Sequence, residues 1–378
     1  MTKRGSKGCV IPQSNDYSCS PELDPSKTYI TKIETKANGT EEIKNYRDID
    51  AIIDPLNEDN KYYIGQPIVC DTAQSKKKQI SYEKCGMSSK DGSDVEFIDY
   101  VYGGPTLSSI LENSDSPERD AEFYISIFKG LLNIFKAVQL LNEKNIYHFD
   151  IKPDNIVFDK STTPPTFKLI DLGDSKYIPT PDDYKVEYNS IGTKGFFPPE
   201  KFGKFGGAVF MSFVNDDREK SDILGYDNEN KQWILKLTGE VKPVEYYKTL
   251  EKDNPNPLWY SKTDVWSLGA TLFYIIQNLY DDIELNKENT MNSYTNLFST
   301  INIECIKDIM NSMLSLDIDE RPDARTALRL YENCLPAETK KGGLKRRKSK
   351  KSRKSRKSKK SKKSKKSKTS KKSKKSRK

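Results

Sequence analysis

Histidine is almost missing from this chain of 378 residues, His148 being the only one. That excludes every metal centre built on two or more imidazoles. The six cysteines, Cys9, Cys19, Cys70, Cys85, Cys305 and Cys334, include no CxxC pair. Zinc ribbons and small disulfide scaffolds therefore fit poorly, and reduced thiols are the expectation. No run approaches the ~18 consecutive apolar residues of a membrane helix, and Met1-Thr2-Lys3-Arg4-Gly5 lacks the apolar segment of a signal peptide. A soluble intracellular protein with no membrane span is expected.

Acidic residues are absent from Lys340 to Lys378, a stretch with 25 basic residues and ten serines. Residues 1–339 then hold 39 basic against 55 acidic groups, so the net charge of +9 hides a body of −16 and a tail of +25. From Ser349 to Ser376 every third residue is serine, a composition that cannot bury enough apolar surface to fold. Residues 338–378 are expected to be a disordered basic tail. Its charge suits nucleic acid through counterion release, an anionic surface, an acidic partner, a nuclear signal, or no single ligand at all. Without aromatic residues it has no means of stacking on bases.

Along the body, strand-like runs at 28–33, 61–69 and 95–102 are interrupted by one helical pattern, Glu41 to Ile53, that ends at Asp54-Pro55. Beyond Arg119 the character changes. Phe123, Ile127, Leu131, Phe135, Val138 and Leu141 recur at helical spacing, and periodicity returns at 265–279 and 301–316. Two lobes are expected, 1–104 and 105–337, meeting near Gly103-Gly104-Pro105. Between Glu200 and Asp264 lie 63 residues with one strand-like run, Gln232 to Leu237, read as an insertion at about 203–260. Substrate docking, disorder and a structural add-on are its open readings.

The most informative segment is Tyr147-His148-Phe149-Asp150-Ile151-Lys152-Pro153-Asp154-Asn155, with Asp171-Leu172-Gly173 sixteen residues after Asn155. Carboxylates and an amide concentrated around turns between short apolar runs suit phosphoryl transfer, in which one carboxylate orients a hydroxyl and other oxygens hold Mg²⁺. Here the chain resembles the eukaryotic-type serine/threonine protein kinases. The resemblance implies an α+β, bilobal protein-kinase-like fold, with a strand-rich N-lobe carrying one key helix and a helical C-lobe. It implies ATP with Mg²⁺ or Mn²⁺ as cofactors and proteins bearing Ser or Thr as substrates. Asp150 would be the catalytic base, Lys152 would sit beside the transferred phosphoryl group, and Asn155 and Asp171 would hold metal. Collinear matches follow in Gly192-Thr193, Phe197-Pro198-Pro199-Glu200, Asp264-Val265-Trp266-Ser267-Leu268-Gly269 and Glu320-Arg321-Pro322. By the same resemblance Asp264 holds the catalytic-loop backbone and Arg321 pairs with Glu200.

In the N-terminal part, Gly5-Ser6-Lys7-Gly8-Cys9-Val10 is similar to the second half of the family's glycine-rich loop, which implies Gly5, Gly8 and Val10 in nucleotide binding. It leaves little room for a strand before it. Period-two alternation puts Ile30 and Lys32 on one strand face. Lys32 is the candidate for the phosphate-contacting lysine, with Lys27 and Lys36 as competitors, and Glu42 or Glu41 would be its partner. Phe97-Ile98-Asp99-Tyr100-Val101-Tyr102-Gly103-Gly104 resembles the hinge, with Ile98 as gatekeeper and Asp99 and Val101 offering backbone groups to adenine.

The usual HRD reads His148-Phe149-Asp150, without the arginine that in many kinases receives an activation-loop phosphate. Activity independent of such phosphorylation is expected. In its GSKGCV start, the Ile53-Asp54-Pro55 turn after the first helical pattern, the Asp-Tyr-Val-Tyr-Gly-Gly run and the Lys-Ser tail, the chain resembles more narrowly the kinases of giant nucleocytoplasmic DNA viruses of mimivirus type, which implies host cytoplasm, nucleus or virion as the location. The rival readings are a pseudokinase or scaffold that binds nucleotide or partners without turnover, a small-molecule phosphotransferase, and a tail-driven nucleic-acid packaging protein.

Overall fold

Tyr29, Thr31 and Ile33 are buried on one side of a strand whose other side carries the half-buried Ile30 and Lys32. The computed structural model describes residues 3–4, 8–12, 23–24, 26–53, 61–63, 67–70, 74–86, 95–112, 119–160, 166–179, 192–193, 195–202, 222–252, 257–285 and 291–336. Within them β1 (Lys3–Arg4), β2 (Gly8–Pro12), β3 (Tyr29–Thr35), β4 (Ile68–Val69) and β5 (Val95–Val101) form an antiparallel sheet in the order β1-β2-β3-β5-β4. A strand does precede the glycine segment, since Lys3 and Arg4 pair with Val10 and Cys9. A two-residue edge strand needs no side-chain pattern of its own, so composition does not announce it.

The sheet carries two helices where the sequence suggests one. Helix α1 (Lys36–Ile53) begins directly after β3, five residues ahead of the expected start, and buries Ile43, Tyr46, Ile49 and Ile53. Helix α2 (Gln74–Cys85) is lysine-rich and weakly amphipathic, which hides it from a periodicity search, yet it buries Ile80, Ser81 and Cys85. Of the expected strand at 61–69, Tyr63 forms a bridge to Leu169 and Ile68–Val69 form β4, while residues 64–66 lie outside the described residues.

The described cysteines are not reduced in this structure. Cys9 on β2 is bonded to Cys85 on α2 and Cys305 to Cys334, Cys70 is also disulfide-bonded, and none of the described cysteines is free. Tertiary packing brings each resolved pair to Cα separations of 5.8 and 5.6 Å, inside the range a disulfide spans. Pairs 76 and 29 residues apart leave no CxxC spacing to read.

The chain crosses to the helical part at Gly104, whose φ of +108° and approach to Phe158 leave no room for a side chain: a Cβ would lie 2.1 Å from the Phe158 carbonyl oxygen. There α3 (Leu107–Glu112) and α4 (Ala121–Glu143) follow, the latter capped by Asp120, whose carboxylate accepts from Phe123 N at 2.9 Å. In length and hydropathy α4 could cross a membrane, but its apolar face, with Tyr124, Phe128, Leu131, Phe135 and Val138, lies in the protein core. Each such side chain contributes roughly 1.5–3 kcal/mol when fully buried.

Two small antiparallel pairs support the loops of interest: β6 (Ile146–Tyr147) with β9 (Lys176–Tyr177), and β7 (Ile156–Asp159) with β8 (Thr166–Leu169). Within the segment expected to be an insertion, β10 (Leu224–Asp227), β11 (Gln232–Leu235) and β12 (Val241–Pro243) form a sheet, followed by α5 (Val244–Lys252). Trp233 and Tyr247 bury against the core, while Lys242 and Tyr246 meet Asp317 at 2.7 and 2.8 Å. Residues 203–221 and 253–256 of the insertion lie outside the described residues. Helices α6 (Pro257–Leu285), α7 (Met291–Thr300), α8 (Ile303–Met313) and α9 (Ala324–Cys334) complete the core, with Phe135 and Tyr331 stacked at 4.2 Å. The tail from residue 338 also lies outside the described residues.

Candidate active site

The segment joining β6 to β7 is held from below by Asp264 on α6. Its two carboxylate oxygens accept from His148 N and Phe149 N, both at 2.9 Å, and Asn142 Nδ2 donates at 3.0 Å. Burial pushes the Asp264 carboxyl up, against these donors and the neighbouring His148. Phe149 is forced into the left-handed region at φ 63°, a conformation rare for an aromatic residue and sustained only by surrounding structure. The fully buried His148 ring packs with Nε2 3.2 Å from the Ile170 carbonyl.

Beyond that reversal a tight polar cluster forms. Asp150 Oδ2 accepts from Lys152 Nζ at 2.8 Å and from Asn155 Nδ2 at 2.9 Å. Asn155 Nδ2 also reaches the Asp150 carbonyl at 2.8 Å, tying the 3-10 turn Pro153–Asn155 back onto the loop. Thr193 Oγ1 donates to Asp150 Oδ1 at 2.7 Å and itself accepts from Lys152 Nζ. Asp150 thus faces a hydroxyl on one oxygen and a cation on the other.

Asp171 follows β8 in a left-handed conformation, φ 62°, and accepts from Gly173 N. Its Oδ1 lies 3.2 Å from Lys32 Nζ on β3, which also donates to Glu42 Oε2 on α1 at 2.6 Å. Burial opposes the Lys32 charge, but Asp171, Glu42 and Glu34 outweigh it and hold the ammonium well above the usual lysine range. The Asp171 carboxyl stays low despite burial because Lys32 binds it and His148 and Lys152 add positive charge.

Glu34 is a participant that the sequence analysis missed. It is fully buried, with Oε1 3.0 Å from Lys32 Nζ, and neither oxygen accepts a hydrogen bond of good geometry from a described residue. Burial raises its carboxyl to about 7, with Lys32 opposing and Glu42 adding to the rise. The period-two rule that selects Lys32 also selects residue 34, so the signal was there. Tyr100 and Tyr46 were missed as well: the Tyr100 hydroxyl donates to Glu42 Oε1, and Leu172 N donates to the Tyr46 hydroxyl at 3.1 Å.

The other expected residues are dispersed along the sheet. Val10 pairs with Lys32, and Lys32 in turn with Ile98. Ile30 stands opposite Tyr100. Gly8 opens β2, while Gly5 lies outside the described residues. Asp99 and Val101 belong to β5, and the buried Asp99 carboxylate accepts from Thr31 Oγ1 at 2.5 Å. Glu41 pairs with Lys176 at 3.2 Å, and Lys27 lies 3.9 Å from Asp24. At the far edge Arg321 grips Glu200 through both terminal nitrogens at 2.6 and 2.9 Å, with its guanidinium 4.8 Å over the Trp266 ring.

No group of three or more His, Cys, Asp or Glu among the described residues could hold a metal alone. Asp171 and Asn155 nevertheless offer the hard oxygen donors that Mg²⁺ takes when nucleotide phosphates and water complete its shell. Asn155 commits its Nδ2 to Asp150, which leaves the amide oxygen as its acceptor.

The protein kinase domain family matches residues 88–207, a span that includes β5, Asp150, Lys152, Asn155, Asp171 and Glu200. The chain has a protein kinase fold. Similar proteins include a "Probable serine/threonine-protein kinase fnkB" of Dictyostelium discoideum, 32% identical over 37% of this chain and 28% of that protein. Another is the cAMP-dependent protein kinase type 3 of Saccharomyces cerevisiae, 31% identical over 27% of this chain and 22% of its own length. Human death-associated protein kinase 2 is 33% identical over 28% of this chain and 26% of its length. The chain therefore spans less than a third of the length of each of these relatives. Lys32, Glu34, Glu42 and Arg321 fall outside residues 88–207, and the kinase match says nothing of them.

Proposed function

We propose that the protein transfers the γ-phosphoryl group of Mg-ATP to serine or threonine hydroxyls of proteins. The observation that carries this reading is the meeting of Lys32, Glu42 and Asp171, from three distant parts of the sequence, in one ion-paired cluster. Such a cluster places a cation for nucleotide phosphates next to a carboxylate suited to their metal. Asp150 accepts the proton of the attacking hydroxyl, and Lys152 offsets negative charge at the transferred group. Asn155 and Asp171 would hold the metal ion, which supplies charge neutralisation on the phosphates when bound. Glu42, braced by Tyr100, keeps Lys32 extended into the site. Gly5, Gly8, Val10 and Ile30 would line the nucleotide, with Asp99 and Val101 giving backbone contacts to adenine.

Thr193 supports hydroxyl acceptors, because Asp150 and Lys152 already bind one. The phenyl ring of Phe149 in the loop supports activity without activation-loop phosphorylation, since it offers no charge-assisted contact to a phosphate. The narrower likeness to giant-virus kinases, with action in host cytoplasm, nucleus or virion, rests on the GSKGCV start, the Ile53-Asp54-Pro55 turn, the DYVYGG segment and the Lys-Ser tail. The tail would bring the enzyme to anionic partners, nucleic acid included.

The test is incubation of the full chain with γ-labelled ATP, Mg²⁺ or Mn²⁺ and mixed protein acceptors, followed by phosphoamino-acid analysis. Label in phosphoserine and phosphothreonine is expected. Nucleotide binding with no transfer under any metal would favour the pseudokinase, and label confined to small molecules would favour the other phosphotransferases.

A further inference from the structure

Lys201 follows the Pro199-Glu200 pair and is fully buried, with no part in the chemistry described above. Its ammonium lies 4.6 Å from the centre of the Phe149 ring and 5.7 Å from that of Phe197, both cation–π contacts. It also approaches the bend at Gly192. With φ of +101°, a Cβ there would lie 2.4 Å from the Phe149 carbonyl oxygen and 3.6 Å from Lys201 Nζ. Gly192 immediately precedes Thr193, whose hydroxyl sits on Asp150, and Phe149 immediately precedes Asp150. The buried cation therefore stacks on Phe149, the residue before Asp150, and lies close to the bend at Gly192, the residue before Thr193.

Burying a lysine is costly, and a space-filling role would be met by leucine or methionine. Here the cost is offset by two aromatic faces and by the field of four carboxylates: Asp264 beneath the loop, Asp150 on it, Asp174 after the DLG, and Glu200 beside it. Burial outweighs them and lowers the ammonium to about 8.

We propose that Lys201 is a positioning residue for phosphoryl transfer, its buried charge fastening Phe149, Phe197 and the Gly192 bend so that acceptor hydroxyls meet Asp150. This rests on the kinase reading above. It follows that the protonated lysine is the competent form, and that turnover declines on the alkaline side of neutrality. Glu34 titrates at about 7 beside Lys32, so wild-type profiles alone would mix two groups. Substitution at 201 separates them, because Glu34 acts through the nucleotide-facing lysine.

The experiment measures kcat and the KM for ATP of the full chain from about pH 6.5 to 9.5, for wild type, Lys201→Arg and Lys201→Met. Unfolding midpoints are followed at each pH. Wild-type kcat is expected to fall with a midpoint near 8, the value set by burial. Lys201→Arg, which keeps its charge throughout, should move that decline upward by about one pH unit or abolish it. Lys201→Met should lose about tenfold in kcat at pH 7, lack the decline, and leave the KM for ATP within about twofold. Stability gives an independent sign. A lysine depressed in the fold costs stability below its folded value, and the cost is relieved as pH rises from about 8 towards 10.5, so wild type should not lose stability as its kcat falls. A wild-type profile flat from pH 7 to 9 would overturn the inference, as would an Arg variant with an unmoved decline or a Met variant with wild-type kcat. Absence of transfer by wild type at every pH would overturn the kinase reading itself, and this inference with it.

Discussion

The Thr193 hydroxyl donates to Asp150 Oδ1 at 2.7 Å while Lys152 Nζ binds Asp150 Oδ2 at 2.8 Å. The base of the proposed reaction is thus oriented by a hydroxyl on one oxygen and a cation on the other. Thr193→Ala should lower kcat about tenfold with little change in the KM for ATP, and Thr193→Ser should stay near wild type. Steady-state kinetics at varied ATP checks this, and equal kcat for Ala and Thr would remove the hydroxyl from the mechanism.

Lys32→Met should reduce kcat/KM by about 10²–10³-fold, because no other described cation joins Asp171 and Glu42. Glu42→Gln, which keeps a hydrogen-bond acceptor for Lys32, should cost about tenfold less than that. A competing role for Lys27 would show as an equal loss in Lys27→Met, where little loss is expected because that side chain is half-exposed and lies against Asp24.

Glu34 gives a pH signature in stability. Its folded value, about 7, lies above the usual carboxyl value of 4.5, so its favourable contribution is complete below 4.5 and is lost as pH rises through 7. Glu34→Gln removes a buried carboxylate that must ionise. The variant should match wild type near pH 4.5 and exceed it by about 1–3 kcal/mol at pH 8, as read from denaturant unfolding at the two pH values. An equal difference at both would mean that ionisation of Glu34 is not the cause.

The Arg321–Glu200 pair is buried on both sides, with the arginine also donating to the Ser315 carbonyl at 2.8 Å. Removing one partner leaves an uncompensated charge, so Arg321→Met or Glu200→Gln should cost about 3–5 kcal/mol. Replacing both by apolar residues should recover part of that loss. Thermal unfolding of the single and double variants checks the pair.

Legibility in the sequence followed locality. The catalytic loop and the Asp171 turn are short contiguous strings whose residue types and order are themselves the chemistry, while the alternation of β3 favours Lys32 and leaves Lys27 and Lys36 as competitors. Choosing Glu42 over Glu41 needed the helix phase, and α1 starts where β3 ends, in residues without an apolar pattern. Lys201 and Glu34 read as ordinary surface charges because a lone charged residue carries no mark of burial. The disulfides, the two-residue β1 and the lysine-rich α2 depend on partners far away in sequence, where period and composition are silent. In the insertion, Trp233 and Tyr247 find their core only through contact with the rest of the fold.

Phe149 occupies the place of a loop arginine and is covered by Lys201, so turnover should not depend on phosphate in the activation segment. Phosphatase-treated protein should retain transfer within about threefold of untreated protein. Ser190 lies outside the described residues, and phosphate on Thr193 would break its bond to Asp150. A gain of about tenfold or more on phosphorylation at either residue would contradict this expectation.

In the proposed reaction Asp150 performs the proton step on a nucleotide site assembled by Lys32, Glu42 and Asp171. The most direct test of this role measures ATP binding and γ-phosphoryl transfer on the same preparation of Asp150→Asn and of wild type. Binding within about threefold of wild type, with transfer reduced by about 10³-fold or more, is the expected result. Transfer undiminished in Asp150→Asn, or ATP bound by wild type without any transfer, would contradict it.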